Sequence, residues 1–381
     1  MKIASRLLKE NPAVLLVAEP LRAGGLTGFA RTLFRGISQA GLRPYLAAAG
    51  PAPVGFFASE EEARIECFPG MLGGLTRPFV FGRLADWAAE VQPALIHGLS
   101  AFTQPVCARL AERLNVPYVL SIPHFQARGD IRVDDRLNKV MVCNESLREN
   151  LVNDARVPKE LVRVVPLGIE IPDEVPPQAK GDGQWAMLGT FAPLTPGQDL
   201  ATFIRAAQKV HEVRCGACQF LIVGEGPEES SLRKLARELK LERHLTFAHA
   251  GVPYEPILRD LDVYVQTPRQ EAFGLGALAA MAWARPVVAT SVGGLIGLVQ
   301  DGQSGYLVPP GQPDAVAAKI LDLLGDAKLR ARMGQSGRDQ AQAKYDLEPM
   351  IDRTLQQYAE AQGFVTASPS GSGITRLFGK S

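Results

Sequence analysis

Short apolar runs, each closed by small residues and followed by a helix-spaced pattern, set the rhythm of this chain. Residues 14–18 (VLLVA) form one run; Ala23-Gly24-Gly25 follows, and Phe29, Leu33, Phe34 and Ile37 then recur at helical spacing. Strand, glycine turn and helix make half of a parallel β/α unit. The motif returns at Leu95-Ile96-His97-Gly98, with a helix through Val106, Leu110 and Leu114, and at Pro117–Ile122 and Val140–Cys143, with a helix over 145–153 and a strand at Val162–Val165. A second series predicts strands at 185–188, 220–223, 245–247, 262–266 and 286–289, with helices over 199–211 and 228–239 and a helical region at 314–361.

Between the two series, Pro172 to Gly183 (PDEVPPQAKGDG) loses all periodicity and collects prolines, glycines and charges, which is linker chemistry. The pattern therefore predicts two doubly wound, Rossmann-like α/β halves, one over 1–172 and one over 184–345, joined by a linker over 173–183. A last helix, 346–362, is expected to pack back on the first domain, ahead of a Ser/Gly-rich flexible tail over 363–381. Parallel sheets bind ligands at the carboxyl ends of their strands, which puts the expected site in a cleft between the halves.

Composition narrows the function. Forty-one Lys and Arg against forty Asp and Glu leave a net charge of +1, which removes the basic footprint of a nucleic-acid binder. A hydrophobic fraction of 46% supports sizeable cores. The first twelve residues are too charged for a secretory leader, and no run approaches the roughly 18 apolar residues of a membrane span. With five cysteines, few and odd in number, the expectation is a soluble cytoplasmic protein.

The densest chemistry lies between Pro268 and Asp301. Glu271 stands just ahead of Phe273-Gly274-Leu275-Gly276, which opens a small-residue helix over 277–284; a strand follows, and Gly293-Gly294 makes a second turn. A glycine-flanked helix N-terminus presents unpaired N–H groups and partial positive charge to a phosphate or sugar hydroxyl, and a carboxylate there accepts from sugar hydroxyls. Spacing alone leaves open whether these glycines serve a ligand or only tight packing.

The run E-A-F-G-L-x-A-L-x-A-M-A-x-x-R-P-V-V-A-T-x-V-G-G resembles the signature of retaining glycosyltransferases of family 4, whose GT-B fold sets two Rossmann-like domains face to face. Four further segments match in order: Ala23-Gly24-Gly25, Val165–Ile169, Phe220–Pro227 with Gly224, and Gly305–Pro310 as a closing turn. The resemblance implies hexosyl transfer from a nucleotide-sugar with retention, without metal or other cofactor. Glu271 and His124 would be the catalytic positions. Gly24, Gly25, Phe273, Gly274, Leu275, Gly189, Thr190, Gly224 and Arg269 would form the donor site. The acceptor, whether glycan, lipid or small molecule, and the oligomeric state stay open.

The chain departs from the family where the donor diphosphate is held. Thr190 and Pro196 stand where an Arg and a Lys are expected, Ala279 replaces the second glutamate, and Gly297 a further one. Either the diphosphate is bound by backbone N–H groups with Arg269 or Arg22 as replacement cations, or the protein is a degenerate GT-B binding or partner subunit. A nucleotide-sugar epimerase on the same fold fits the Glu271 signature less well. His124 arrives one residue later than the family's Thr-Val-His, after Pro123, and its other reading is an exposed loop residue. His97 reads as a packed strand end. His211, Cys215 and Cys218 (HEVRCGAC) lack a fourth ligand nearby in sequence for zinc. The basic stretch at Arg330 and Arg332 reads as a solvated helix face, with contact to a membrane surface as the alternative.

Overall fold

The computed structural model describes residues 11–21, 25–51, 57, 59–73, 77–176, 185–214, 216–249 and 254–363. These divide into two compact units, one from residues within 11–21, 29–167 and 348–363, the other from residues within 25–28 and 168–347.

The first unit is built on a seven-stranded sheet. Its strands are β1 (Ala13–Ala18), β2 (Arg43–Ala48), β3 (Ile65–Cys67), β4 (Pro93–Gly98), β5 (Tyr118–Ile122), β6 (Leu137–Val142) and β7 (Val162–Val164). They lie in the order β3-β2-β1-β4-β5-β6-β7, with every pair parallel. The helices between them include α1 (Gly25–Gln39), α2 (Arg77–Val91), α3 (Gln104–Leu114) and α4 (Glu145–Asn153). Continuous apolar strands follow from this arrangement, because a parallel sheet with helical crossovers is covered on both faces; all six residues of β1 are buried. Local signals set the helix ends. Asn144 caps α4 by accepting from Leu147 N, and Asn115, left-handed at φ +56, closes α3.

The second unit repeats the plan with six strands: β8 (Ala186–Phe191), β9 (Cys218–Val223), β10 (Leu245–Ala248), β11 (Val263–Gln266), β12 (Val287–Thr290) and β13 (Gly305–Val308). Their order is β10-β9-β8-β11-β12-β13, again all parallel. The connecting helices are α5 (Leu200–Val213), α6 (Glu229–Glu238), α7 (Tyr254–Asp260), α8 (Leu275–Ala282) and α9 (Gly293–Leu298); α10 (Pro313–Gly325) and α11 (Ala327–Tyr345) follow β13. One core joins Leu188, Phe203, Phe220, Ile222, Val265, Val288 and Ile320. In both sheets the strand order reverses beside the first strand, at β1/β4 and at β8/β11, the switch points where such sheets admit ligands.

Three readings change on the structure. β8 runs on through Thr190 and Phe191, beyond the strand expected at 185–188: register with β9 is kept to the Phe191–Val223 pair, so Thr190 is buried inside a strand and the turn begins at Ala192. Arg330 does not face solvent or a membrane. It is buried, with Nη1 donating to Leu323 O at the end of α10, while Arg332 is exposed. The segment 305–308, expected as a closing turn, forms edge strand β13. Of the expected linker, residues 173–176 are irregular and 177–183 lie outside the described residues, as does the tail beyond Gly363.

The final helix α12 (Leu347–Ala361) is tied into the first unit by a buried polar chain. His97, at the end of β4, has Nδ1 2.6 Å from Tyr358 Oη and Nε2 2.8 Å from Ser121 Oγ. Burial pushes the imidazole down to about 3 and raises the phenol, so both are neutral at pH 7. A phenolic hydrogen without an acceptor in the interior would be costly, so Tyr358 donates to Nδ1 and His97 Nε2–H donates to Ser121. In the second unit, the turn into α9 is equally tight: Gly293 has φ +46, and a Cβ there would lie 1.9 Å from Glu271 O.

Two stability measurements follow. The unfolded chain binds a proton at His97 below about pH 6.5 and the folded chain only near pH 3, so stability should fall on acidification across that window. The slope is up to about 1.4 kcal/mol per pH unit; thermal unfolding against pH should be measurably flatter for His97→Gln than for wild type. Gly293→Ala must displace the Glu271 carbonyl and should lose about 2 kcal/mol or more, visible as a lowered unfolding midpoint, whereas Gly297→Ala, with open space around it, should not.

Candidate active site in the second unit

At the carboxyl end of the second sheet the strand termini carry most of the expected donor residues. Glu271 lies in the loop between β11 and α8, partly exposed. Its Oε2 accepts from Gln266 Nε2 at 2.9 Å and its Oε1 from Phe273 N at 3.3 Å. Its carbonyl accepts from Gly294 N at 2.9 Å, so the Gly-Gly turn clamps the backbone that carries the carboxylate. A Cβ on Gly294 would stand 2.4 Å from Ala272 O, which explains why no larger residue fits.

Gly274, at φ +95, is the N-cap of α8, and the first intrahelical bond there runs from Leu278 N to Gly274 O. The N–H groups ahead of it, from Leu275 onward, belong to the helix's unsatisfied first turn and face the same end of the sheet as Glu271. Phe273 itself is buried, edge-on to Tyr345 at 5.7 Å, and anchors the loop rather than lining it. Tyr264, buried on β11, holds its Oη 3.3 Å from both Phe191 N and Phe191 O, and the two rings stack at 5.8 Å. Burial raises the phenol far above its ordinary range, and the nearby Glu271 charge adds to this.

Gly224, Gly189, Arg269 and Ala279 lie in the same unit. Gly224 follows β9, where a Cβ would meet Ala192 O at 1.9 Å, so its absence lets the two loops touch backbone to backbone. Gly189 packs against Leu261 and Leu221, which gives it a reason in strand packing alone. Arg269 is 67% exposed at its side chain, with Nε 3.2 Å from Asp199 Oδ2, and its N–H donates to Gly197 O at 2.9 Å. Asp199, nearly buried and left-handed at φ +45, also accepts from Thr202 Oγ1 at 3.0 Å, while its carbonyl accepts from Thr267 Oγ1. Ala279 is buried in α8. Gly25 opens α1, and Gly24 and Arg22 lie outside the described residues.

In the first unit His124 is exposed on the loop after β5, its carbonyl accepting from Gln126 Nε2. A shallow apolar pocket lies behind that loop, bounded by Phe29, Ser121, Ile122, Cys143, Val165 and Met350. The HEVRCGAC segment finds a neighbour that its spacing does not offer: the His211 and His244 rings lie tilted against each other with centroids 4.2 Å apart, and each Nδ1 is buried without a hydrogen-bond partner among the described residues. Cys218 lies in the core of the second unit and Cys215 is outside the described residues. Among the described residues no group of three or more His, Cys, Asp or Glu could hold a metal ion, and no helix is long and apolar enough to cross a membrane.

Sequence reasoning missed Gln266, Tyr264 and Asp199. The one signal for Gln266 is an amide closing an otherwise apolar strand, Val263–Gln266.

Comparison with known proteins bears on this geometry. Residues 179–340 match the model of the glycosyl transferases group 1. The chain is 30% identical over 135 residues to N-acetyl-alpha-D-glucosaminyl L-malate synthase of Bacillus anthracis, covering 35% of each chain. It is 34% identical over 147 residues to alpha-D-kanosaminyltransferase of Streptomyces kanamyceticus, covering 38% of each. The matched stretch thus spans little more than a third of these relatives. In structure it is similar to Anabaena HepE, crystallised with UDP and glucose, at a TM-score of 0.79 and 18% identity over 92% of this chain and 100% of that one. The fold is that of the GT-B glycosyltransferases, two Rossmann-like parallel-sheet domains, and the Glu271 loop and both glycine turns lie within the stretch that matches the glycosyl transferases group 1 model.

Proposed function

We propose that the protein transfers a hexosyl group from a nucleotide-sugar to a glycan, lipid or small-molecule acceptor, with retention of configuration. The observation that carries this reading is the clamped Glu271 carboxylate beside the open first turn of α8. It is a fixed acceptor for sugar hydroxyls next to a fixed donor array for phosphate oxygens. The matched relatives that are glycosyltransferases, and a neighbour crystallised with UDP and glucose, support the same substrate class.

In this reaction the sugar–diphosphate C–O bond breaks, and the acceptor oxygen bonds to the anomeric carbon on the same face. The acceptor's proton passes to the leaving diphosphate. The protein's task is to stabilise the developing diphosphate charge and the cationic sugar. Backbone N–H groups of α8, with Gly24 and Gly25, serve the first need. Arg269 adds a charge: its backbone is bonded to Gly197, the residue after Pro196, so the guanidinium reaches from the neighbouring loop to the turn that lacks the expected lysine. Glu271 serves the sugar, and His124 is assigned to the catalytic set from the first unit. The protein would act in the cytoplasm, with no metal and no nucleic acid.

A second reading, a binding or partner subunit without turnover, is favoured by one observation: Thr190 and Ala279, where the family places an Arg and a Glu, are both buried and uncharged.

Calorimetric titration with UDP-, GDP- and ADP-sugars, alongside a donor-hydrolysis assay, separates the two. Transfer requires that one donor bind at or below millimolar concentration and be turned over. Glu271→Ala should weaken binding or turnover of that donor about tenfold or more. Arg269→Ala should reduce affinity for the nucleoside diphosphate more than for the free sugar. Silence across the panel excludes the transferase, and binding without turnover favours the partner subunit.

A further inference from the structure

Gln266 ends β11, and none of the sequence motifs gives it a task. It is 4% exposed, on a strand whose other residues are Val263, Tyr264 and Val265. A buried amide is costly there unless its polar atoms are engaged. One is: Nε2 donates to Glu271 Oε2 at 2.9 Å. The other is not, since Oε1 is buried with no hydrogen-bond partner among the described residues. The amide cannot be turned round without setting its oxygen against the carboxylate, so the orientation is fixed by charge. An aliphatic residue would fill the position and leave nothing unpaired. What the glutamine adds is its grip on Glu271.

That grip has a geometric consequence. A carboxylate offers about four acceptor positions. Gln266 takes one on Oε2 and Phe273 N one on Oε1, which leaves a position free on each oxygen and fixes the carboxylate plane between a strand end on one side and a helix start on the other. Tyr264, two residues earlier on the same face of β11, braces the end of β8 in the same way through Phe191. One face of one strand thus positions both the carboxylate and the switch-point strand beside it.

We infer that Gln266 is the positioning residue of the donor site, holding Glu271 in the orientation that receives the sugar hydroxyls. The inference rests on the transfer reading above, and its test is built to fail separately from it. Wild type, Gln266→Met and Gln266→Glu are titrated with UDP-, GDP- and ADP-glucose between pH 5 and pH 8, with thermal unfolding recorded for each. Gln266→Met, matched in length and apolar, should fold and bind the preferred donor about tenfold or more weakly at every pH. Gln266→Glu should be as weak as the methionine variant at pH 8, where two carboxylates repel, and should regain affinity towards pH 5. There the introduced carboxyl holds a proton and can donate it to Glu271 as the amide does. Wild type should show no such recovery.

A purely space-filling role would give no pH-dependent rescue. The inference is overturned if Gln266→Met binds donor as wild type does, or if the two variants show the same pH dependence. Wild type silent towards all three donors overturns the transfer reading, and the inference with it.

Discussion

The second unit's site depends on a contact between two pieces of backbone. The turn at Gly293 and Gly294 lies against Glu271 and Ala272 so closely that a single added carbon would overlap a carbonyl oxygen at either glycine. Nothing softer than backbone is available to yield. That constraint fixes the loop between β11 and α8, and with it the direction of the Glu271 carboxylate and the start of α8. Backbone contacts of this kind are insensitive to the loss of individual side chains. The loop and the start of α8 are therefore held in place although Thr190, Pro196 and Ala279 stand where charged residues were expected.

Charge is handled locally, and mostly by pairing. Thr190 and Pro196 contribute none, and the guanidinium of Arg269 is shared with Asp199. Asp199 is itself held by Thr202 and by the left-handed start of α5. A cation tethered to a carboxylate is a weaker electrostatic partner than a free one, but its position is better defined, and charge placed in advance is worth most where charge develops. The first unit resolves its buried polar groups in the opposite manner, by neutrality. His97, Tyr358 and Ser121 form one chain of neutral hydrogen bonds that fastens the last helix to the sheet.

Regular elements with strong periodicity are legible in the chain itself. The helix over 145–153 and the strands near 14–18 and 262–266 lie within a residue or two of their expected places. β2, β3 and α2 give no clear signal, since β3 is three residues long and β2 opens on an exposed arginine. The strand expected at 185–188 stops short of Thr190, yet pairing with β9 and burial keep Thr190 in the strand. The charged neighbours of Arg330 suggest a solvated face, and only the placement of α10 beside α11 gives its guanidinium a carbonyl to bind.

Consecutive residues dictate the alternation of apolar runs and helices, hence two parallel sheets, and mark the run from Glu271 to Gly294 as the place where backbone is exposed. Which distant side chains reach that run is a matter of packing: Gln266 beneath the carboxylate, Tyr264 against the end of β8, Asp199 beside Arg269. Those partners sit five to seventy-odd positions apart and meet only because parallel strands bring their carboxyl ends together. Spacing along the chain carries no trace of such contacts, since a hydrogen bond between strand ends is set by sheet order, and sheet order is a decision of the fold.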